Sequence, residues 1–152
     1  MVLFEHDYIA FPELTNTQLQ EFGFSSPHVQ ITRDFDAEVV KVHDGDTVTL
    51  RTDFRDFDFP LRLLDIDAPE MNNGGEVAKN WLSPLIMGQS VRVLVDSKQR
   101  VGKYGRLLGK IFFGGLDVGQ EMLYLGFVSV FGSKNEGFVP KSEKLFSLKQ
   151  WF

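Results

Sequence analysis

From Ala37 onward the apolar residues fall at strand spacing in runs too short for a wide flat sheet, and this constrains the fold more than any other feature. Val39, Val40 and Val42 precede an Asp44-Gly45-Asp46 step, and Val48 and Leu50 follow it, which predicts two strands joined by a tight turn. Phe57, Phe59, Leu61, Leu63 and Ile66 mark a third strand that runs out at Pro69, because proline cannot donate to a ladder. The period then changes. Val77, Ala78, Trp81, Leu82, Leu85 and Ile86 recur at helical spacing over 75–87, with Gly88 as the stop and Pro84 placed to kink or split the helix. Residues 91–95 and 107–113 read as a fourth and a fifth strand, the latter ending in a Gly114-Gly115 reversal, and 117–125 reads as a helix stopped by Gly126. Five short strands avoid exposed edges best by closing. The expected fold is therefore α+β and β-rich, a five-stranded Greek-key barrel of the oligonucleotide-binding (OB) type with two or three packed helices.

The chain ahead of the barrel follows no such pattern, so residues 1–36 are expected to form an N-terminal extension and 37–152 the barrel domain. Within the extension, Thr17 and Gln20 have the spacing of a capping box for a short helix through Leu19 and Phe22. A weak amphipathic stretch closes the chain over 141–152. At 152 residues the sequence has the size of one domain, and 15 Phe, 3 Tyr and 2 Trp supply enough apolar bulk for one core. The absence of Cys removes disulfides, thiolate zinc sites and cysteine nucleophiles together, and it fits a reducing compartment. The opening stretch, MVLFEHDYIAFPEL, carries acids where a secretory signal has a basic start, so a cytoplasmic or intracellular setting is expected, with release by lysis or other export left open.

A formal charge of −5 argues against a surface that grips nucleic acid everywhere, since Lys and Arg drive phosphate binding. The distribution is uneven. Between Ser90 and Phe112 stand Arg92, Lys98, Arg100, Lys103, Arg106 and Lys110 against Asp96 alone, so a basic segment is set in an acidic body. It reads either as a localised anion site or as a solvated hairpin.

Three stretches carry residues suited to chemistry. Asp44-Gly45-Asp46 and Asp65-Ile66-Asp67 put carboxylates at strand ends, where they supply the hard oxygens that Ca²⁺ prefers, while Gly45 eases the turn. By itself the first is also an ordinary β-turn, and Val48 stands where an EF-hand loop needs another ligand. Arg62 interrupts an apolar strand and must reach the rim, an acidic neighbour or an anion. Glu70, just past Pro69, is placed to take a proton from water or simply to be a surface acid. In KQRVGKYGR, 98–106, Arg106 can fork onto phosphate oxygens, Lys103 can add a point charge and Tyr104 can stack on a base or sugar. An ordinary basic loop has the same composition.

Taken in order, DGDTV, then R(x)4DAPE, then a helix, then KYGR, the sequence resembles the staphylococcal nuclease family over roughly 37–130. The resemblance implies a Ca²⁺-dependent nuclease acting on DNA or RNA, with unpaired strands fitting most easily. It makes Asp46 and Asp67 metal ligands, with Ala68 adding its backbone carbonyl where relatives commonly have Thr, and Asp44 a supporting acid. Glu70 becomes the general base, Arg62 and Arg106 the phosphate-binding pair, and Lys103 and Tyr104 the lining of the nucleotide site. Cleavage of the 5′ P–O bond, leaving a 3′-phosphate, follows from the same likeness. Two departures stand out: MNNGGE, between Glu70 and the helix, is shorter than the loop many relatives carry, and beyond Val130 the chain offers Phe131 and a short tail. The rival readings are a barrel that binds nucleic acid without cutting it and an assembly protein whose arm is the working part.

Overall fold

The structure, a computed structural model, describes residues 9, 12–20, 28–102 and 105–132. The described chain runs α1 (Asn16–Gln20), β1 (Phe35–Val42), β2 (Thr47–Thr52), β3 (Arg55–Leu63), β4 (Ile66–Asp67), a 3₁₀ turn at Met71–Asn73, α2 (Gly75–Ile86), β5 (Ser90–Leu94), β6 (Leu107–Phe113), β7 (Leu116–Asp117), α3 (Val118–Tyr124) and β8 (Ser129–Val130). Neighbours in the main sheet follow the order β3-β2-β1-β5-β6-β7, and β3 also pairs with β6 in parallel, through Leu61↔Leu107, Arg62↔Leu108 and Leu63↔Gly109. That last pairing closes the barrel, as the strand count predicts.

Alternation decides which side chains fill it. Val39, Val48, Leu50, Phe59, Leu61, Leu63, Val93, Leu107 and Ile111 point inward and are essentially inaccessible, and α2 and α3 cover them with Ala78, Leu82, Ile86, Val118 and Met122. Burying each Leu or Ile side chain contributes roughly 1.5–3 kcal/mol. The reversal after β6 has both Gly114 and Gly115 at positive φ, 58° and 81°, the backbone of a type I′ hairpin turn. Asp117 caps α3 by accepting from the Gln120 amide.

Several expectations are corrected. The third strand does not run on to Pro69. It stops at Leu63 because Asp65 is left-handed (φ 70°), and Ile66–Asp67 then pairs with β8, which the sequence does not announce. Pro84 does not split α2, which continues through it to Ile86. The capping box lies two residues earlier than expected: the Gln18 amide donates to Thr15 Oγ1 at 3.1 Å and the Thr15 amide to Gln18 Oε1 at 2.9 Å. Phe22 and the 141–152 stretch lie outside the described residues.

The segment ahead of the barrel is stitched to it by ions. Glu13 is fully buried and receives Arg55 Nη2 (2.6 Å), Arg100 Nη2 (3.1 Å) and the Ile31 amide (2.9 Å). Two guanidinium groups thus share one carboxylate out of water, an arrangement that holds only if its other donors are satisfied. Those of Arg100 are, by the carbonyls of Ile31 and Leu14 and the side chain of Asn16. Arg55 Nη2 also reaches the Val29 carbonyl, while its Nε and Nη1 have no hydrogen-bond partner among the described residues. The Arg55 guanidinium instead lies over the rings of Phe59 (4.6 Å) and Phe57 (5.3 Å), which partly offsets its desolvation.

Candidate active site

The β1–β2 turn is shaped by what lies beneath it. Asp44 Oδ1 accepts from the Asp46 amide at 3.0 Å, a side-chain-closed turn. Gly45 is not left-handed, so its role is not the eased turn expected from sequence. It is close approach: a Cβ there would lie 2.6 Å from Ala78 Cβ and 3.2 Å from Ala68 Cβ. Pressed onto α2 in this way, the turn delivers Asp46, 7% exposed, into contact with the strand end it needs. The Asp46 carbonyl accepts from Leu63 N (2.7 Å), its Oδ2 from Ala68 N (2.7 Å) and its Oδ1 from the Thr47 hydroxyl (2.9 Å).

Arg62 supplies the positive charge. Its Nη1 donates to the carbonyls of Leu63 and Ile66, both at 2.7 Å, and its Nη2 meets Asp67 Oδ1 at 2.5 Å and Asp46 Oδ2 at 3.3 Å. Two carboxylates from separate turns therefore converge on one nitrogen. The β4–β8 pair holds Asp67 from the other side, with Gly132 N donating to its Oδ2 at 3.1 Å and the Ser129 hydroxyl to its carbonyl at 3.4 Å. Phe131, 66% exposed, places its ring 6.0 Å from the Arg62 guanidinium carbon.

Three carboxyl groups, of Asp44, Asp46 and Asp67, thus gather near the Arg62 guanidinium, which pairs with the last two. Burial, with the neighbouring Asp44 carboxylate next in importance, pushes the Asp46 carboxyl above its ordinary value, against the pull of the Ala68 amide and Arg62. Hard oxygens gathered around a position already held by a cationic nitrogen fit a divalent cation such as Ca²⁺. Among the described residues no three acidic, His or Cys side chains gather into a cage, so such a cation would draw further ligands from main-chain oxygens, solvent or an anionic ligand. Ala68 takes part in this cluster through its N–H.

Glu70 and Arg106 stand apart from that knot. The Glu70 backbone is fixed, because its carbonyl accepts from Asn73 N (2.8 Å) and Gly75 N (2.9 Å) and a Cβ on Gly75 would collide with the carbonyls of Pro69 and Glu70. Its side chain is exposed and makes no hydrogen bond among the described residues. Arg106 lies two residues before Leu108, the partner of Arg62 across the closing β3–β6 pair. It stands just ahead of β6, next to the end of the barrel where that pair closes. Its guanidinium forms no ion pair or hydrogen bond among the described residues. Lys103 and Tyr104 lie outside them.

The basic segment needs correction. Arg100 belongs to the interior, paired with Glu13, and not to an anion-facing patch. Arg92 pairs with Asp36 at 3.1 Å, and Lys110 lies 4.0 Å from Asp65, so less free charge remains than the sequence count suggests. Sequence reasoning missed Glu13 and Arg55 altogether. A single acid between Pro12 and Leu14 carries no signal of its fate, and Arg55 reads as a hairpin residue. It also missed that Ser129 and Gly132 hold Asp67.

The chain is 38% identical over 80 residues to a micrococcal nuclease of Shigella flexneri, covering 52% of this chain and 43% of that protein. It is 35% identical over 89 residues to an uncharacterized endonuclease of Haemophilus influenzae (58% and 48%) and 29% identical over 122 residues to the probable endonuclease lcl3 of Penicillium rubens (68% and 41%). The chain spans less than half the length of each of these relatives. The family model of staphylococcal nuclease homologues matches residues 60–150, a span that holds Arg62, Asp67, Glu70 and Arg106, whereas Asp44 and Asp46 precede it. With that match covering more than half of the sequence and the barrel closed as described, the chain belongs to the staphylococcal nuclease family.

Proposed function

We propose that this protein is a Ca²⁺-dependent nuclease that hydrolyses phosphodiester bonds of DNA or RNA and leaves a 3′-phosphate. The observation that carries the reading is the convergence of Asp46 and Asp67 on a single cationic nitrogen at the barrel's strand ends. Asp46, Asp67 and the Ala68 carbonyl would hold the cation, with Asp44 in support. When bound, the cation supplies Lewis-acid charge beside the scissile phosphate and orients a water molecule.

The chain's own groups do the rest. Arg62 is anchored by the carbonyls of Leu63 and Ile66 independently of the two carboxylates, so its place does not depend on them, and its Nη2 would serve a phosphate oxygen. Arg106, just ahead of the neighbouring strand β6, would supply the second guanidinium. Two guanidinium forks would then stabilise the negative charge that builds on the equatorial oxygens. Glu70, exposed on a backbone held still by α2, orients or deprotonates the attacking water. The residues placed here address the phosphate backbone and not the base edges, so little sequence preference is expected and single strands should enter most easily.

The test is fragmentation of single-stranded DNA by the purified protein with Ca²⁺, abolished by a chelator. Glu70→Gln should lower kcat by about 10²-fold or more with little change in binding. DNA left intact across a wide range of Ca²⁺ would end the enzyme reading.

A further inference from the structure

We infer that Arg100, seated on Glu13 and seconded by Asn16, is a positioning residue for Arg106, so that the segment ahead of the barrel sets the pose of the phosphate-binding arginine. The inference rests on the role proposed for Arg106 above. Arg106 has no side-chain partner among the described residues, and its position is set by backbone bonds to the outgoing limb of the β5–β6 connection. Gly102 N donates to the Arg106 carbonyl at 2.8 Å, Val101 bridges Leu107, and Leu108 N donates to the Arg100 carbonyl at 2.9 Å. Wherever the limb 100–102 sits, Arg106 follows.

The limb has little apolar purchase of its own. Residues 96–99 are exposed, and Val95 and Val101 are only partly covered. Its one deeply buried member is Arg100, 3% exposed, and among the described residues every hydrogen bond of that side chain ends on the N-terminal segment. Nε reaches the Ile31 carbonyl (2.9 Å), Nη1 the Leu14 carbonyl (2.6 Å) and Asn16 Oδ1 (3.3 Å), and Nη2 the Glu13 carboxylate (3.1 Å). Glu13 is itself pinned by Arg55 and the Ile31 amide, so it is a fixed post. A second tie joins the same two segments, Asn16 Nδ2 to the Ser97 carbonyl at 2.9 Å. Arg55, by contrast, sits at the start of β3 and takes no part in the limb. The guanidinium geometry matters: a lysine at 100 keeps the charge but reaches one or two of these oxygens at a time.

The experiment uses the full chain and two mild variants, Arg100→Lys and Asn16→Ala, each alone and combined with Arg106→Ala. Cleavage of a single-stranded oligonucleotide with Ca²⁺ gives kcat and KM, and amide hydrogen exchange is read at Gly102 and Leu108. If Arg100 acts through Arg106, Arg100→Lys lowers kcat about five-fold or more in the parent and less than about two-fold when Arg106 is already Ala, because coupled residues are non-additive. Exchange at Gly102 and Leu108 quickens about ten-fold in both variants, while β1 and β2 amides are unchanged. Losses that multiply across the Arg106 background, or unaltered exchange at those two amides, overturn the inference. Should Arg100→Lys fail to fold, Asn16→Ala carries both readouts, since its bond is exposed. An Arg106→Ala protein as active as the parent refutes the phosphate role instead, and the exchange arm then decides alone whether the N-terminal segment holds the limb.

Discussion

Replacing Gly45 by Ala tests whether the acidic turn is shaped by its packing. The added methyl would stand 2.6 Å from Ala78 Cβ and 3.2 Å from Ala68 Cβ, with Val128 Cγ1 at 3.6 Å. Carbon atoms rest about 3.5–4.0 Å apart, so turn and helix must separate by about 1 Å. Neither alanine can rotate out of the way, because a Cβ moves only with its backbone. Overpacking of this kind costs about 1–3 kcal/mol, a fall in Tm of about 2–4 °C per kcal/mol at this chain length. Ala78→Gly removes the shorter contact but itself costs about 1 kcal/mol in helix propensity. If the clash is the cause, the double variant is less destabilised than the sum of the singles by about 1–2 kcal/mol. Urea unfolding with chelator present measures all four proteins. The same displacement pulls Asp46 from the Ala68 amide, so Ca²⁺ affinity measured by calorimetry should fall in Gly45→Ala and recover in the double variant. A single variant within about 0.5 kcal/mol of the parent, or strictly additive losses, refutes the packing argument.

Two further outcomes follow from buried charge. Glu13→Gln puts an amide nitrogen where a carboxylate oxygen faces guanidinium groups and leaves Arg55 and Arg100 uncompensated, so urea unfolding should show a loss of about 3–5 kcal/mol, and a loss under about 1 kcal/mol contradicts the network. Asp46, whose carboxyl is held above its ordinary value, favours the folded state most when protonated. That contribution is complete below the unfolded-state pKa and disappears as pH rises through the folded one. Stability of Asp46→Asn relative to the parent should therefore increase with pH across that window in chelator, and a pH-independent difference would contradict it.

How much of this was legible in sequence depends on the range of the interaction concerned. The barrel strands were, because alternation at Val48 and Leu50 or at Leu61 and Leu63 is a local consequence of one buried face. The Gly114-Gly115 reversal was, because only residues tolerant of positive φ suit it. The β4–β8 pair was not: each strand is two residues long, too short for a period, and Ile66 and Val130 meet only because the barrel brings them together. Glu13 and Arg100, 87 positions apart, give no local sign of their pairing, and from composition alone Arg100 is indistinguishable from the surface cations around it. At the site itself, the acids could be picked out by type and spacing. The reason for Gly45 could not, since it lies in Ala78 and Ala68, remote in sequence and present only once the chain has folded.

The two arginines of the site are not equivalent, and the difference follows from the break after β3. A left-handed Asp65 costs about 1 kcal/mol or more, yet it turns the chain so that Asp67 faces Asp46. Four bonds brace the turn: Leu64 N to the Gly109 carbonyl, Phe131 N to the Asp65 carbonyl, and two from Arg62 Nη1 to the carbonyls of Leu63 and Ile66 on either side of it. Arg62 is thus part of the scaffold that presents a metal-ligand candidate as well as a candidate phosphate contact. Shortening it slackens the turn, shifts Asp67 and removes the fork in one step. Arg106 braces nothing through its side chain among the described residues, so its removal would report on the proposed phosphate contact alone. Substitution at 62 should therefore weaken cation binding even without nucleic acid, and substitution at 106 should leave it untouched.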